Sequence, residues 1–138
     1  MEITIIHRLP TIEEYNALRR SVGWPLFEAE TIMTALKNTL FSAVATNEFG
    51  EAVGMGRVLG DNGIYFHIQD VIVRPEYQGE GVGRGVMTAL LSYIDRHSVS
   101  NTNIGLMCSK GREAFYKEFG FTERPSDKFG SGMIRIVP

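Results

Sequence analysis

The 138-residue sequence lacks the features of disulfide-stabilised, membrane-spanning or polyanion-binding proteins. Its single cysteine, Cys108, excludes a disulfide within the chain and favours a reducing compartment. Every apolar run is shorter than the ~20 residues needed to cross a bilayer, and the first residues lack the basic start of a signal peptide. A net charge of -2 lacks the strongly basic character of most nucleic-acid-binding proteins. We therefore expect a cytoplasmic protein without nucleic-acid or membrane partners.

Hydrophobic periodicity and turn signals predict one α+β domain over residues 1–138. A chain of 138 residues can bury one core without disulfides, and no repeat or linker interrupts it. Thr11 and Glu14 have the spacing of a capping box, which predicts a helix start. The predicted helices are Ile12–Val22, Ala29–Asn38, Val82–His97 and Glu113–Phe119. The predicted strands are Ile3–His7, Leu40–Thr46, Ala52–Leu59, Ile64–Val73, Ile104–Cys108 and Met133–Val137.

The stretch from Ile68 to Arg84 carries the clearest chemical signal. A strand of β-branched residues runs into the glycine-rich segment Gln78–Arg84, which opens directly into the long third helix. Glycines let a backbone approach a ligand closely, because they lack a Cβ atom and tolerate positive φ. The first N–H groups of a helix lack intrahelical partners, and the helix dipole favours negative charge beside them. The arrangement therefore predicts an anion site for a phosphate group.

Motif spacing separates the possible phosphate ligands. The dinucleotide pattern fails because Arg84 stands where the third glycine is needed, and the Gly-Lys-Ser/Thr of a P-loop is missing. Gln78, Gly81 and Gly83 instead match the spacing Gln/Arg-x-x-Gly-x-Gly, after a strand with a Val-x-Pro end. In this segment the chain resembles the GCN5-related N-acetyltransferase (GNAT) family.

The resemblance covers residues 3 to 136 and implies a fold, a co-substrate and binding residues. Ala114–Phe121 is similar to the Phe-Tyr-x-x-x-Gly-Phe segment of the family. The implied GNAT fold has a mixed, mostly antiparallel sheet of six to seven strands with about four helices. The implied co-substrate is acetyl-CoA, and no metal is expected. The implied donor-binding residues are Val71, Ile72, Val73, Gln78, Gly79, Glu80, Gly81, Val82, Gly83, Arg84 and Ser109.

The first half of the chain gives a narrower resemblance. Leu18–Pro25 and Gly54–Asp61 are similar to a bacterial and plastid branch related to plant serotonin N-acetyltransferases. Trp24 and Phe27 are therefore candidates to line an acceptor pocket for an aromatic amine. The alternative for both aromatics is packing in the core.

The reaction needs a neutral amine, a stabilised oxyanion and a proton for the departing thiolate. By its place in the family motif, Tyr116 is the implied general acid, and an ordinary tyrosine pKa near ~10 keeps it protonated at neutral pH. The resemblance implies that a backbone N–H group near Val71 or Ile72 holds the oxyanion.

The general base is less clearly marked. Gln69 stands where some small-amine members of the family have a glutamate, and an amide cannot act as the base. His67 and Asp70 are the nearby candidates, acting directly or through water. Strict alternation along a strand would put His67 and Asp70 on opposite faces of the sheet.

Three functions fit these observations. The first is acetylation of a small primary amine, and the second is acetylation of a lysine or N-terminus in a protein or peptide. The third is a CoA-binding sensor without turnover. The resemblance also makes a homodimer possible.

Overall fold

The computed structural model describes residues 2–138 and contains five strands and four α-helices in that range. The strands are β1 Thr4–Ile6, β2 Phe41–Thr46, β3 Ala52–Gly60, β4 Tyr65–Val73 and β5 Asn103–Leu106. The helices are α1 Ile12–Ser21, α2 Ala29–Lys37, α3 Val82–His97 and α4 Glu113–Lys117. A short 3-10 helix, Pro75–Tyr77, lies between β4 and α3. The contacts divide the chain into two units, Met1–Gly105 and Leu106–Pro138.

The first unit is built on a mixed sheet with the strand order β1-β2-β3-β4-β5. The three pairs from β1 to β4 are antiparallel. Short connections join β2, β3 and β4. The tight turn at Asp61 is fixed because its Oδ1 accepts from the N–H groups of Gly63, Ile64 and Tyr65 at 2.9 to 3.0 Å.

A β-bulge in β4 changes which residues share a face of the sheet. Between two successive paired positions β3 advances by two residues, whereas β4 advances by three, from Gln69 to Ile72. Asp70, inside the bulge, has a φ of 56°. Opposite residues share a face, so Gln69 lies on the side of Arg57, which also contacts Asp70. The bulge therefore brings His67, Gln69 and Asp70 to one face, contrary to the strict alternation expected from the sequence.

Helices cover both faces of this sheet. On the face that carries the Asp70 side chain, α1 and α2 contribute to a core made of Tyr15, Leu18, Ile32, Leu36, Val44, Ala52, Met55 and Ile72. On the other face α3 buries Val86, Met87, Leu90 and Ile94. Two glycines of β3 let α3 approach closely: a Cβ atom at Gly56 would lie 2.7 Å from Leu90 Cδ1, and one at Gly54 would lie 2.9 Å from Val82 Cγ1.

The structure confirms most of the predicted elements, including the helix start at Thr11. The Glu14 N–H group donates to Thr11 Oγ1 at 3.1 Å, and the Glu14 carboxylate accepts from the Thr11 N–H group at 2.8 Å. The bounds of α3 are those expected from its apolar spacing. Within residues 2–138, no helix is long and apolar enough to span a bilayer.

The expectation of six to seven strands is wrong, because the sheet has five. The missing strand is Met133–Val137, which has no strand pairing in the structure. Its apolar side chains are exposed, with Met133 at 87% and Val137 at 88%. A β-branched sequence favours a strand only when a neighbouring strand and a packed face are available, and this segment has neither.

Candidate functional site

The glycine-rich loop before α3 has the backbone geometry of an anion cradle. Gly79 and Gly81 have φ values of 82° and 83°, and a Cβ atom at either would meet no atom within 4 Å. Gly81 is the N-cap of α3 and has no side chain with which to cap it. The first intrahelical bond runs from the Gly85 N–H group to the Gly81 carbonyl at 3.0 Å. Helix geometry therefore leaves the N–H groups of Val82 and Gly83 without intrahelical partners, beside open space.

Contacts with β3 and β4 hold this loop in place. The Gln78 side-chain amide donates to the Val73 carbonyl at 3.0 Å, which ties the loop back to the end of β4. Val82 is buried against Gly54 of β3. Tyr77, in the 3-10 helix, bonds through its hydroxyl to the Asn47 side chain at 3.0 Å. The helix N-terminus is thus fixed against the sheet before any ligand binds.

Two arginines bring positive charge to the loop. Arg74 follows β4 directly, and its Nε atom is buried without a hydrogen-bond partner in the described chain. A buried donor without a partner is costly, and a ligand anion within its reach would satisfy it. Arg84 lies exposed in the first turn of α3. The donors, the helix dipole and these charges fit a phosphate-containing ligand, although Glu80 adds one exposed carboxylate to the same loop.

The candidate base His67 and its neighbour Gln69 form a hydrogen-bonded pair on β4. His67 Nε2 lies 2.9 Å from the amide oxygen Oε1 of Gln69, and both side chains are half-buried. With that oxygen facing Nε2, the neutral ring carries its proton on Nε2 and leaves Nδ1 as the acceptor. Gln69, which cannot itself act as a base, therefore orients the residue that can.

Asp70 lies at the centre of a buried ion cluster. Its Oδ1 accepts from Arg19 at 3.0 Å, and its Oδ2 accepts from Tyr15 at 2.6 Å and from Arg57 at 2.9 Å. Burial, followed by the hydrogen bond to Asp70, raises the pKa of the Tyr15 phenol above its ordinary value of 10.0. A carboxylate with three donors on its two oxygens is poorly placed to take a proton from a substrate, so the geometry favours His67 over Asp70 as the base.

The loop between α1 and α2 carries the predicted acceptor aromatics, and α1 beside it carries Arg19, a residue that sequence reasoning missed. Trp24 is half-buried against the α1/α2 core, and Phe27 is 46% exposed. The guanidinium of Arg19 lies 5.4 Å from the Trp24 ring and 5.0 Å from the Phe27 ring, on the scale of a cation–π contact. The available signal for Arg19 was its position on the apolar stripe of α1, where a charge needs a partner.

The second unit contains Tyr116 and Ser109. Tyr116 is half-buried, with edge contacts to Phe115 at 5.0 Å and Phe121 at 6.3 Å between ring centroids. Burial and the neighbouring Cys108 raise the pKa of Tyr116 above its ordinary value of 10.0. Ser109 is exposed.

Residues 2–138 contain no group of three or more histidine, cysteine, aspartate or glutamate side chains that could hold a metal ion.

Residues 26–138 match the family model described as Acetyltransferase (GNAT) domain. The chain belongs to the GNAT family. Among solved GNAT structures, a probable acetyltransferase of unknown function from meticillin-resistant Staphylococcus aureus is 31% identical. Its TM-score is 0.90, with 99% of this chain and 100% of that chain covered.

Curated GNAT relatives place the chain in the plastid and bacterial branch. The uncharacterized N-acetyltransferase ycf52 of Porphyra purpurea is 31% identical over 115 residues, which cover 81% of this chain and 65% of that protein. Serotonin N-acetyltransferase 2, chloroplastic, of Oryza sativa subsp. japonica is 30% identical over 123 residues, which cover 87% of this chain and 60% of that protein. The chain therefore spans less than two thirds of the length of these curated relatives.

Proposed function

We propose that the chain transfers the acetyl group of acetyl-CoA to the primary amine of a small molecule. The observation that carries the proposal is the loop before α3, where two glycines at positive φ precede an uncapped helix N-terminus beside a bulged strand. Membership of the GNAT family supports acetyl-CoA as the donor.

On the donor side, the N–H groups of Val82 and Gly83 would bind the pyrophosphate, with Arg74 and Arg84 supplying positive charge. The pantetheine arm would lie along Val71–Val73, where the bulge leaves Val71 without a paired residue in β3. The backbone groups of Val71 can then bond the arm, and an N–H near Val71 or Ile72 can hold the oxyanion.

On the acceptor side, the neutral amine would attack the thioester carbonyl carbon, and the C–S bond would break. The amine must lose a proton, and we assign that proton to Nδ1 of His67, directly or through a water molecule. The departing thiolate must gain a proton, and we assign it to the Tyr116 hydroxyl, whose raised pKa keeps it protonated. Ser109 remains a candidate cofactor contact.

Trp24 and Phe27 are the proposed acceptor-contacting residues. The exposed ring of Phe27 offers an apolar surface that an aromatic amine could cover. The name of the rice relative, a serotonin N-acetyltransferase, adds support for an arylalkylamine acceptor.

Thermal shift with acetyl-CoA tests the donor site. At a hundredfold excess over Kd, binding should add about 2.7 kcal/mol to the free energy of unfolding. Gly81→Ala should lose this increment because its Cβ atom would enter the cradle. Gly50→Ala is the matched control, since Gly50 also has a positive φ, 78°, and open space around it, but lies in the β2–β3 turn. Loss of the increment in both variants, or in neither, would remove the loop as the donor site.

A screen of thiol release from acetyl-CoA tests the acceptor class. Serotonin and other aromatic amines, polyamines, aminoglycosides and lysine-containing peptides should be compared at equal concentration. Turnover with small amines alone is expected. Preference for peptides would favour a protein acetyltransferase, and acetyl-CoA binding without any turnover would favour a CoA-binding sensor.

A further inference from the structure

The buried cluster around Asp70 joins segments that are distant in sequence. It brings together α1, which carries Tyr15 and Arg19, with β3, which carries Arg57, and β4. The side chains of Arg19, Arg57 and Asp70 are exposed by only 11%, 8% and 1%. Removing such charges from water is expensive, so a buried ion cluster is weak evidence for stability. The cluster instead has two consequences for the position of neighbouring segments.

The first consequence concerns the bulge. A φ of 56° is strained for a residue with a side chain, though aspartate tolerates it better than most residues. Such a conformation persists when the surroundings fix it. Three donors from two other elements hold the Asp70 carboxylate, and they therefore fix the backbone from which Val71 and Ile72 continue.

The second consequence concerns the loop between α1 and α2. The Arg19 Nε atom donates to the Pro25 carbonyl at 2.7 Å, while its NH1 donates to Asp70 Oδ1 at 3.0 Å. The same guanidinium lies against the rings of Trp24 and Phe27. One planar group thus contacts the loop and the bulge at once, which a lysine ammonium cannot reproduce with the same geometry.

We propose that Arg19 is a positioning residue that couples the loop 24–27 to the bulge of β4. The proposal rests on the function proposed above, in which the loop contacts the acceptor and the bulge contacts the donor. Arg19 then keeps the two segments at a fixed separation, so that a bound amine and a bound thioester meet in a reactive geometry. It touches neither reactant and acts through Asp70 and the Pro25 carbonyl.

Hydrogen exchange on the ligand-free chain tests the coupling without any need for activity. In Arg19→Gln, the amides of Ile72 and Phe27 should exchange at least ~10-fold faster, while amides in the centre of β2 keep their protection. In Arg19→Lys, the ammonium can still pair with Asp70, so the bulge should stay protected while Phe27 exchanges faster. Arg20→Gln is the control, since Arg20 lies exposed on the same helix, and it should behave as the wild type.

Steady-state kinetics with acetyl-CoA and serotonin provide the second measurement. Because small misplacements of reacting groups are costly, Arg19→Gln should lower kcat/KM for the amine by roughly 10- to 100-fold. The stabilisation by acetyl-CoA in a thermal shift should remain, and Arg19→Lys should recover part of the loss.

The outcomes separate the coupling from the function on which it rests. Unchanged exchange in Arg19→Gln, or faster exchange spread evenly over β2 as well, would overturn the coupling. A wild type without an acetyl-CoA shift would overturn the proposed donor, and a wild type inactive on serotonin would count against the acceptor class. In both of those cases the exchange measurement still decides whether Arg19 couples the two segments.

Discussion

Gly56→Ala tests the close packing of α3 on β3. A Cβ atom at residue 56 would lie 2.7 Å from Leu90 Cδ1 and 2.8 Å from Val86 Cγ1. Both neighbours are fully buried. The Leu90 methyl is the end of a flexible side chain, but valine in a helix has one strongly preferred rotamer and cannot turn away. The helix must therefore shift, and α3 carries the glycine-rich loop, the proposed donor site, at its N-terminus.

The expected loss of stability follows from these contacts. Overpacking of this kind costs about 1–3 kcal/mol. Replacing glycine by alanine also restricts the unfolded chain, which offsets about 0.4–1 kcal/mol. The net loss is then about 0–2.6 kcal/mol, with a centre of about 1.3 kcal/mol. An unfolding entropy of about 2.1 cal/mol/K per residue makes 1 kcal/mol equivalent to about 3.5 °C for a chain of 138 residues. Tm should therefore fall by about 4–5 °C at the centre of this range and by at most about 9 °C.

Urea denaturation with four variants checks this magnitude. Gly63→Ala is the control, because the nearest atom to its Cβ would be Asp61 Oδ1 at 3.9 Å, and its midpoint should equal or exceed that of the wild type. Val86→Ala is made alone and in the Gly56→Ala background, where it removes the obstructing methyl. The losses in the two single variants should therefore sum to more than the loss in the double variant. If Gly56→Ala is as stable as Gly63→Ala, or if the two losses are additive, the steric argument is refuted.

Three further predictions concern the acid, the cap and an ion pair. Tyr116→Phe should lower kcat by roughly 10²–10⁴-fold and keep the acetyl-CoA thermal shift, and an unchanged kcat would exclude Tyr116 as the acid. Because burial raises the pKa of Tyr116, the alkaline limb of the wild-type kcat–pH profile should lie above pH 10.0. Thr11→Ala should cost about 1 kcal/mol in urea through loss of the capping bond, and Thr11→Ser should recover most of it. The hydrogen bonds from Arg8, at 2.8 and 3.0 Å, lower the pKa of Glu14 below 4.5. The ion pair therefore stabilises the folded chain fully above pH 4.5, and this stabilisation is lost as the pH falls through the lowered pKa of Glu14. Urea midpoints at pH 7 and pH 3 should differ less for Glu14→Gln than for the wild type, and equal differences would contradict the prediction.

Local chemistry explains which parts of the fold the sequence predicts well. The helix α3 has the expected bounds because the glycine-rich segment with Gly79 and Gly81 precedes it and apolar residues recur along it at helical spacing. The start of α1 was predictable for a similar reason, since a capping box involves only neighbouring residues. Met133–Val137 was mistaken for a strand because alternation records a preference for β structure but does not supply a partner.

The candidate site likewise has features that the sequence predicts and features that only the folded chain shows. Sequence determined the family, the glycine-rich loop before α3 and the candidate roles of Tyr116 and His67, because each depends on residue types at particular positions along the chain. The tertiary structure decided that His67 and Asp70 share a face, because one extra residue in β4 interrupts the alternation of side chains. Nothing in the sequence marks the position of this bulge. It also decided that Asp70 is an ion-pair partner, since Arg19 and Arg57 lie 51 and 13 residues away along the chain. Contacts over such separations exist only once the chain has folded.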